Sequence, residues 1–293
     1  MPQLEANRTA MNALTIADLL TAGTERLSDL STSARLDTEI LLGLALRKPR
    51  EFLYAWPEEF VSDEQQVTFD ALLQRRALGE PIAYITGWRE FWSLNLQVTP
   101  ATLIPRPETE RLVELALQCT PQDAPWRIAD IGTGSGAIGV AIACERPRAR
   151  VTAVDLSEAC VEVARANGAR LDLANLVVRH GDLFDALDDA PHQLIVSNPP
   201  YIADGDPHLY LGDVRSEPLS ALVAGDDGLD VLRELIGQAP QHLDRSGVLA
   251  VEHGFDQGAA VRALMRTAGL GTVETFRDYG GRERVTRATH EAP

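Results

Sequence analysis

Through its first third the chain repeats apolar positions at helical spacing. Ile16, Leu19 and Leu20 follow Thr15, a residue type suited to an N-cap, and predict a helix from that point. A second helix is predicted from Ser33 to Leu46, with Leu36, Ile40, Leu41 and Leu44 on one face. A short third opens at Pro49 and Arg50 and runs through Phe52, Leu53 and Trp56. A fourth, capped by Asp63, carries Val67, Phe69, Leu72, Leu73 and Leu78 and stops at Gly79. Pro81 to Ile85 adds a last short turn or helix. No strand-like alternation interrupts these segments, so residues 15–87 read as a small helical bundle. Before Thr15 the chain is polar and aperiodic, which reads as a frayed tail, and Met11 is an alternative start to Met1.

The pattern then changes. Phe91, Trp92, Leu94, Leu96 and Val98, with Ser93 and Asn95 between them, predict a hairpin. In Leu103-Ile104-Pro105-Arg106-Pro107-Glu108-Thr109-Glu110 two prolines flank an arginine, and a helix follows from Glu108 through Leu112, Val113, Leu115 and Ala116. Spacing alone favours a linker before a Pro-initiated helix over a stiff loop laid on a ligand. From Arg127 onward short apolar runs alternate with helical patterns. Strands are predicted at Arg127–Ile131, Val151–Val154, Leu176–Val178, Gln193–Val196 and Val248–Val251. Helices are predicted at Ile138–Ala143, from a Ser157 cap through Ala166, at Leu229–Leu235 and at Ala259–Ala268. Such alternation means an α/β domain with a parallel sheet covered on both faces. Val273–Phe276 and Arg284–Thr286, joined by Asp278-Tyr279-Gly280-Gly281, add a terminal antiparallel hairpin.

Charge and composition narrow the function classes. The 293 residues carry a formal charge of −16, which disfavours naked nucleic acid and suits a basic partner. No apolar run approaches the ~20 residues needed to span a bilayer, and the N-terminus lacks a secretory pattern, so a cytoplasmic protein is expected. Cys119, Cys144 and Cys160 are widely spaced and read as reduced thiols. The six histidines show no ligand spacing, and no metal is expected.

Three features carry chemistry. Asp130-Ile131-Gly132-Thr133-Gly134-Ser135-Gly136 joins a strand to a helix, with glycines that permit a sharp turn and close approach of a ligand. The loop lacks the lysine of a phosphate-binding loop, and Asp130 suits a cationic ligand better than a pyrophosphate. Asp155 closes the next strand, where a carboxylate can grip ribose hydroxyls. After the third strand, Asp182 can accept from an adenine amine with Leu183 against the ring. At the end of the fourth comes Ser197-Asn198-Pro199-Pro200-Tyr201. The prolines stop the ladder and stiffen a corner that could grip a planar N–H group.

These features together resemble the class I S-adenosylmethionine-dependent methyltransferases, with a seven-stranded Rossmann-like sheet whose last strand is antiparallel. Asn198-Pro199-Pro200-Tyr201 resembles that family's motif for methylating planar nitrogen. The resemblance implies that Asn198 Oδ1 and the Pro199 carbonyl accept the target's N–H bonds and that Tyr201 packs on its flat face. Further stretches resemble one family, the peptide chain release factor N5-glutamine methyltransferases (PrmC/HemK). They are Pro81–Gly87, Glu90–Leu94, Leu103–Glu110, Glu217–Leu222 and Glu252-His253-Gly254. Two departures are mild: Glu108 stands where the loop often has Asp, and Ser216 where an aromatic is usual.

That resemblance implies methylation of the glutamine in the Gly-Gly-Gln motif of class I release factors, with S-adenosylmethionine as donor. It implies a helical substrate-recognition domain at 1–87, a hairpin and linker at 88–107 and a catalytic domain at 108–293. The expected partner is the release factor, without direct contact to nucleic acid or membrane, and the expected state is a monomer. Catalysis and target binding fall to Asn198, Pro199, Pro200 and Tyr201. Cofactor binding falls to Asp130, Gly132, Thr133, Gly134, Ser135, Gly136, Asp155, Asp182, Leu183 and Asn198. An adenine N6 methyltransferase shares the corner, but it calls for a basic groove that this sequence lacks. A non-catalytic release-factor-binding protein is the third alternative, and the intact glycines and Asp155 stand against it. His253, beside Glu252, reads as part of a strand-end polar pair rather than a general base.

Overall fold

The computed structural model describes residues 14–290; the N-terminal tail and Met11 lie outside them. Contacts divide the described chain into two units. One ends at Gly87 and takes in Tyr210–Ser216; the other comprises Trp88–Leu209 and the chain from Glu217 onward.

The first unit holds five helices among the described residues: α1 (Ile16–Leu27), α2 (Ala34–Leu46), α3 (Arg50–Ala55), α4 (Asp63–Ala77) and α5 (Ile82–Thr86). Thr15 and Ser62 start α1 and α4 with reciprocal capping boxes, through Asp18 and Gln65. The cap of α4 is therefore Ser62, with Asp63 as the first helical residue. Leu19, Leu20, Leu41, Leu42, Leu53, Phe69 and Leu73 fill the core. The expected face of α2 is rotated: Leu36 and Leu44 are exposed, while Asp37 and Glu39 are buried. Both carboxylates are satisfied. Asp37 accepts from Ser31, Ser33 and Arg76, and Glu39 from Arg35, Arg50 and Tyr54. On α4 and just past it, Val67 and Leu78 are likewise exposed. Arg76 also reaches Asp213 at 2.6 Å, which ties the Tyr210–Ser216 segment to this unit.

The second unit opens with a hairpin, β1 (Trp88–Phe91) and β2 (Leu94–Gln97). Trp92 and Ser93 both take positive φ and form its two-residue turn, so Trp92 is a turn residue rather than a strand residue. Pro107–Thr109 makes one 3₁₀ turn before α6 (Glu110–Cys119), so the helix proper starts two residues after Glu108. Then follow β3 (Arg127–Ile131), α7 (Ala137–Glu145), β4 (Arg150–Asp155), α8 (Glu158–Arg170), β5 (Leu176–His180) and β6 (His192–Ser197). The chain ends through α9 (Asp230–Gln238), β7 (Leu243–Glu252), α10 (Gly258–Thr267), β8 (Gly271–Arg277) and β9 (Glu283–Thr289).

The seven strands run in the order β5-β4-β3-β6-β7-β9-β8. β9 alone runs against the other six strands; it inserts between β7 and β8, so β8 is the outer edge. Alternate residues feed two cores. Leu194 and Val196 face α6, α7 and the hairpin, with Phe91 and Leu96 in the same cluster. Ile195 faces α9 and α10, among Leu232, Leu235, Val261 and Met265. Burial on both faces is why these strands read as unbroken apolar runs. The strand order reverses between β4-β3 and β6, and a crevice is expected beyond the carboxyl ends there.

Candidate active site

A cavity of about 410 Å³ occupies that crevice. Ser197 pairs in register with Ile131, and its hydroxyl donates to the Ile131 carbonyl at 2.7 Å. This fixes the Asn198 corner beside the glycine loop. Gly132, Thr133, Gly134, Ser135, Asp155, Asp182, Leu183, Asn198 and Pro200 all line the cavity. Four strand ends thus bring most of the expected site residues to one place.

Gly132 and Gly134 have φ of 70° and 57° with open space where a Cβ would stand. They are required by backbone conformation rather than by crowding. Asp155 holds the loop through both oxygens: Oδ2 accepts from Gly134 N at 2.7 Å and Oδ1 from Ser157 N at 2.9 Å. An ionised carboxylate offers about four acceptor positions, so two remain for a ligand diol. Leu183 sits at φ 41°, an uncommon conformation for a branched side chain and one that is often found at ligand sites.

Four expected residues do not line the cavity. Asp130 is completely buried behind the loop; its Oδ2 accepts from Thr133 Oγ1 at 2.6 Å and Gly139 N at 2.9 Å. Burial pushes its carboxyl up to about 6 against those hydrogen bonds, and the charge of Asp155 adds to the rise. It braces the turn from behind and does not line the cavity. Gly136, at φ 86°, starts α7 where a Cβ would meet Ala164 at 3.1 Å, so its place is close helix packing. Tyr201 does not line the cavity. Its ring packs on the α9–α10 core, and its hydroxyl donates to Glu252 Oε1 at 3.2 Å. Burial raises the phenol strongly, with the Glu252 charge adding, so it stays protonated. Pro199 is buried within the corner.

Residues beyond the expected set complete the walls. Leu103, Pro105, Arg106 and Thr109 line the cavity, so the two-proline stretch is a loop over the site and not a bare linker. Glu217, itself buried, holds that loop by accepting from Ile104 N at 3.0 Å and from the Arg106 guanidinium. A stiff Pro-Arg-Pro run was the signal for this; nothing in the sequence paired it with Glu217, more than a hundred residues away. Cys160 lines the cavity with its thiol pushed up to about 11 by burial and by the Asp155 charge, hence unreactive. His253 is buried, bonded to Thr286 and to the Gly254 carbonyl, and off the cavity wall. Among the described residues no cluster is placed to hold a metal, and no helix is long and apolar enough to cross a membrane.

The donor set has a definite chemistry. A carboxylate for a diol, a second carboxylate beside an apolar side chain for an aminated ring, and glycine-loop backbone fit a nucleoside. Among the described residues Arg106 is the one cation on the wall, and it is tied to Glu217, so the wall suits a nucleoside better than a phosphate. Residues 18–87 match the PrmC N-terminal domain family, and residues 111–213 match the methyltransferase small domain family. The release factor glutamine methyltransferase of Pseudomonas aeruginosa is 55% identical over 256 residues, 87% of this chain and 92% of that protein. The chain belongs to the release factor glutamine methyltransferases. The member from Xylella fastidiosa (strain 9a5c) is 50% identical over 268 residues, 92% of this chain and 95% of its own. A methyltransferase of solved structure from Pyrococcus furiosus, 18% identical, shares the fold with a TM-score of 0.52. The match covers 75% of this chain and 98% of that one. This methyltransferase therefore carries its cavity, with the Asn198 corner on its wall, at the strand ends of a fold shared with that protein.

Proposed function

We propose that the enzyme transfers a methyl group from S-adenosylmethionine to the side-chain amide nitrogen of the Gly-Gly-Gln glutamine in class I release factors. One observation carries the reading: the Asn198 corner and the nucleoside-type donor set of Asp155, Asp182 and Leu183 open into one cavity. When bound, the cofactor supplies a methyl group activated by a sulfonium centre. Asp155 would hold its ribose, Asp182 and Leu183 its adenine, and the Gly132–Gly136 backbone its amino-acid end.

The chain's own work is orientation and electrostatics. A glutamine amide is a poor nucleophile because its nitrogen lone pair is shared with the carbonyl. Asn198 Oδ1 and the Pro199 carbonyl, as paired acceptors, would aim the NH₂ group and favour the positive charge that grows on nitrogen. Positioning supplies much of the acceleration, and no strong base is called for. Tyr201, anchored on Glu252, holds the end of the corner, while Leu103, Pro105 and Pro200 give the cavity an apolar wall.

The helical unit is assigned to the release factor away from its target loop, and the −16 charge suits a partner that binds ribosomal RNA. A monomeric, cytoplasmic enzyme without direct nucleic-acid contact completes the reading. Mass spectrometry after incubating purified release factor with cofactor tests it. One methyl on the target glutamine side chain is expected, and none on a Gln→Ala factor. Equal labelling of both factors would refute it.

A further inference from the structure

Asn198 can serve as an acceptor in only one of its two amide orientations. With Oδ1 towards the cavity it accepts a target N–H; turned over, it presents Nδ2, a donor facing a donor. In the structure Nδ2 donates to Thr109 Oγ1 at 3.2 Å. Thr109 is 3% exposed and stands at the end of the 3₁₀ turn before α6. A hydroxyl has one proton. Whatever accepts that proton on its far side fixes the near side as an acceptor, and so fixes Asn198 as the donor.

Glu252 is placed to be that acceptor. It ends β7, is 1% exposed, and receives the Tyr201 hydroxyl on Oε1. The Thr109 hydroxyl is close enough to the same carboxyl to favour its ionised form, and Oε2 is buried with no hydrogen-bond partner among the described residues, free to take up the Thr109 proton. Two neighbours of the carboxyl, Thr109 and Tyr201, thus lead to the Asn198 corner from opposite sides. A buried carboxyl in such a place costs stability unless its neighbours use it.

We propose that Glu252, acting through Thr109, sets the direction of a hydrogen-bond chain that turns Asn198 Oδ1 towards the target amide. Both are positioning residues for the transfer, and the inference rests on the function proposed above. Direction follows from charge. Ionised Glu252 can only accept, so Thr109 donates to it and accepts from Asn198. Protonated Glu252 can donate, which lets Thr109 donate to Asn198 and turn the amide over.

The charged and titratable groups around Glu252 are Tyr201 from the loop after β6, Arg284 from β9 and Glu108 from the turn before α6. Burial pushes the Glu252 carboxyl up to about 7; Glu108 adds to the rise, and Thr109, Arg284 and Tyr201 oppose it. Transfer should therefore weaken as pH falls through that region, where the chain loses its fixed direction.

The test measures methylation of purified release factor by the full-length enzyme, as kcat against pH, with S-adenosylmethionine affinity by calorimetry as the control for the fold. Thr109→Val should lower kcat about tenfold or more while cofactor affinity stays within about threefold. Thr109→Ser, which keeps the hydroxyl, should recover most of kcat. Glu252→Gln should lower kcat and lose the wild-type fall on the acid side. Wild-type kcat in Thr109→Val, equal damage in Thr109→Ser and Thr109→Val, or an unchanged acid limb in Glu252→Gln each overturns the inference. Should Thr109→Val not fold, the Thr109→Ser and Glu252→Gln profiles decide. A wild-type enzyme that leaves release factor unmethylated instead overturns the proposed function itself.

Discussion

Replacing Asp155 by Ala probes the cofactor side of the cavity. The carboxylate ends β4, accepts from Gly134 N and Ser157 N, and retains about two acceptor positions for a diol. Two hydrogen bonds to a charged acceptor are worth about 1.5–3 kcal/mol each. Water enters the partly open cavity in the variant and recovers part of that, leaving a loss of about 2–4 kcal/mol. The dissociation constant for S-adenosylmethionine should rise roughly 30- to 1000-fold. Freed from Asp155, the glycine loop also loses its tether, so the melting temperature of the ligand-free protein should fall as well. Asp155→Asn separates the two effects poorly, because its NH₂ faces backbone donors, and it should bind almost as weakly as Ala. The assay is isothermal calorimetry on protein shown to be folded by circular dichroism. A dissociation constant within about threefold of wild type would refute the ribose contact.

Gly136→Ala combines a residue forced to φ 86° with a Cβ only 3.1 Å from Ala164, so a loss of about 2–4 kcal/mol is expected. Thermal unfolding checks it, and an unchanged melting temperature would show that α7 starts differently. His192 is buried, its Nδ1 without a partner among the described residues, and burial lowers its imidazole to about 4, with the Arg127 charge adding. The unfolded chain binds that proton near pH 6.5 and the folded one near 4. Stability from this group is therefore present at neutral pH and is lost as pH falls from about 6.5 to 4, on the order of 3 kcal/mol in all. His192→Gln should flatten that part of the stability profile, whereas an unaltered acid slope would locate the loss in other groups.

The alternation of strands and helices was legible because each parallel strand is buried on both faces, as Leu194, Ile195 and Val196 show by feeding two separate cores. Glycine-loop, Asp155 and Asn198 positions were legible because each closes a strand, and the register of β3 with its neighbours brings the strand ends together. Less legible was anything that depended on a distant partner. Asp37 and Glu39 are charged, yet they displace Leu36 and Leu44 from the buried face of α2, because Arg76, Arg50 and Tyr54 reach them from elsewhere in the chain. Asp130 has the sequence setting of a ligand contact, but Thr133 and Gly139 turn it inward. Thr109 and Glu217 stand in stretches that resemble the family, but nothing local pointed to their partners, Asn198 for the one and Ile104 for the other.

In the proposed reaction the Asn198 corner does the chemistry beside a separately held donor. Paired measurements on Asn198→Ala test it most directly: single-turnover methyl transfer to release factor, and S-adenosylmethionine affinity by calorimetry. Transfer should fall by about a hundredfold or more, with affinity within a few-fold of wild type. Transfer retained near the wild-type rate, in protein that binds the cofactor normally, would contradict it.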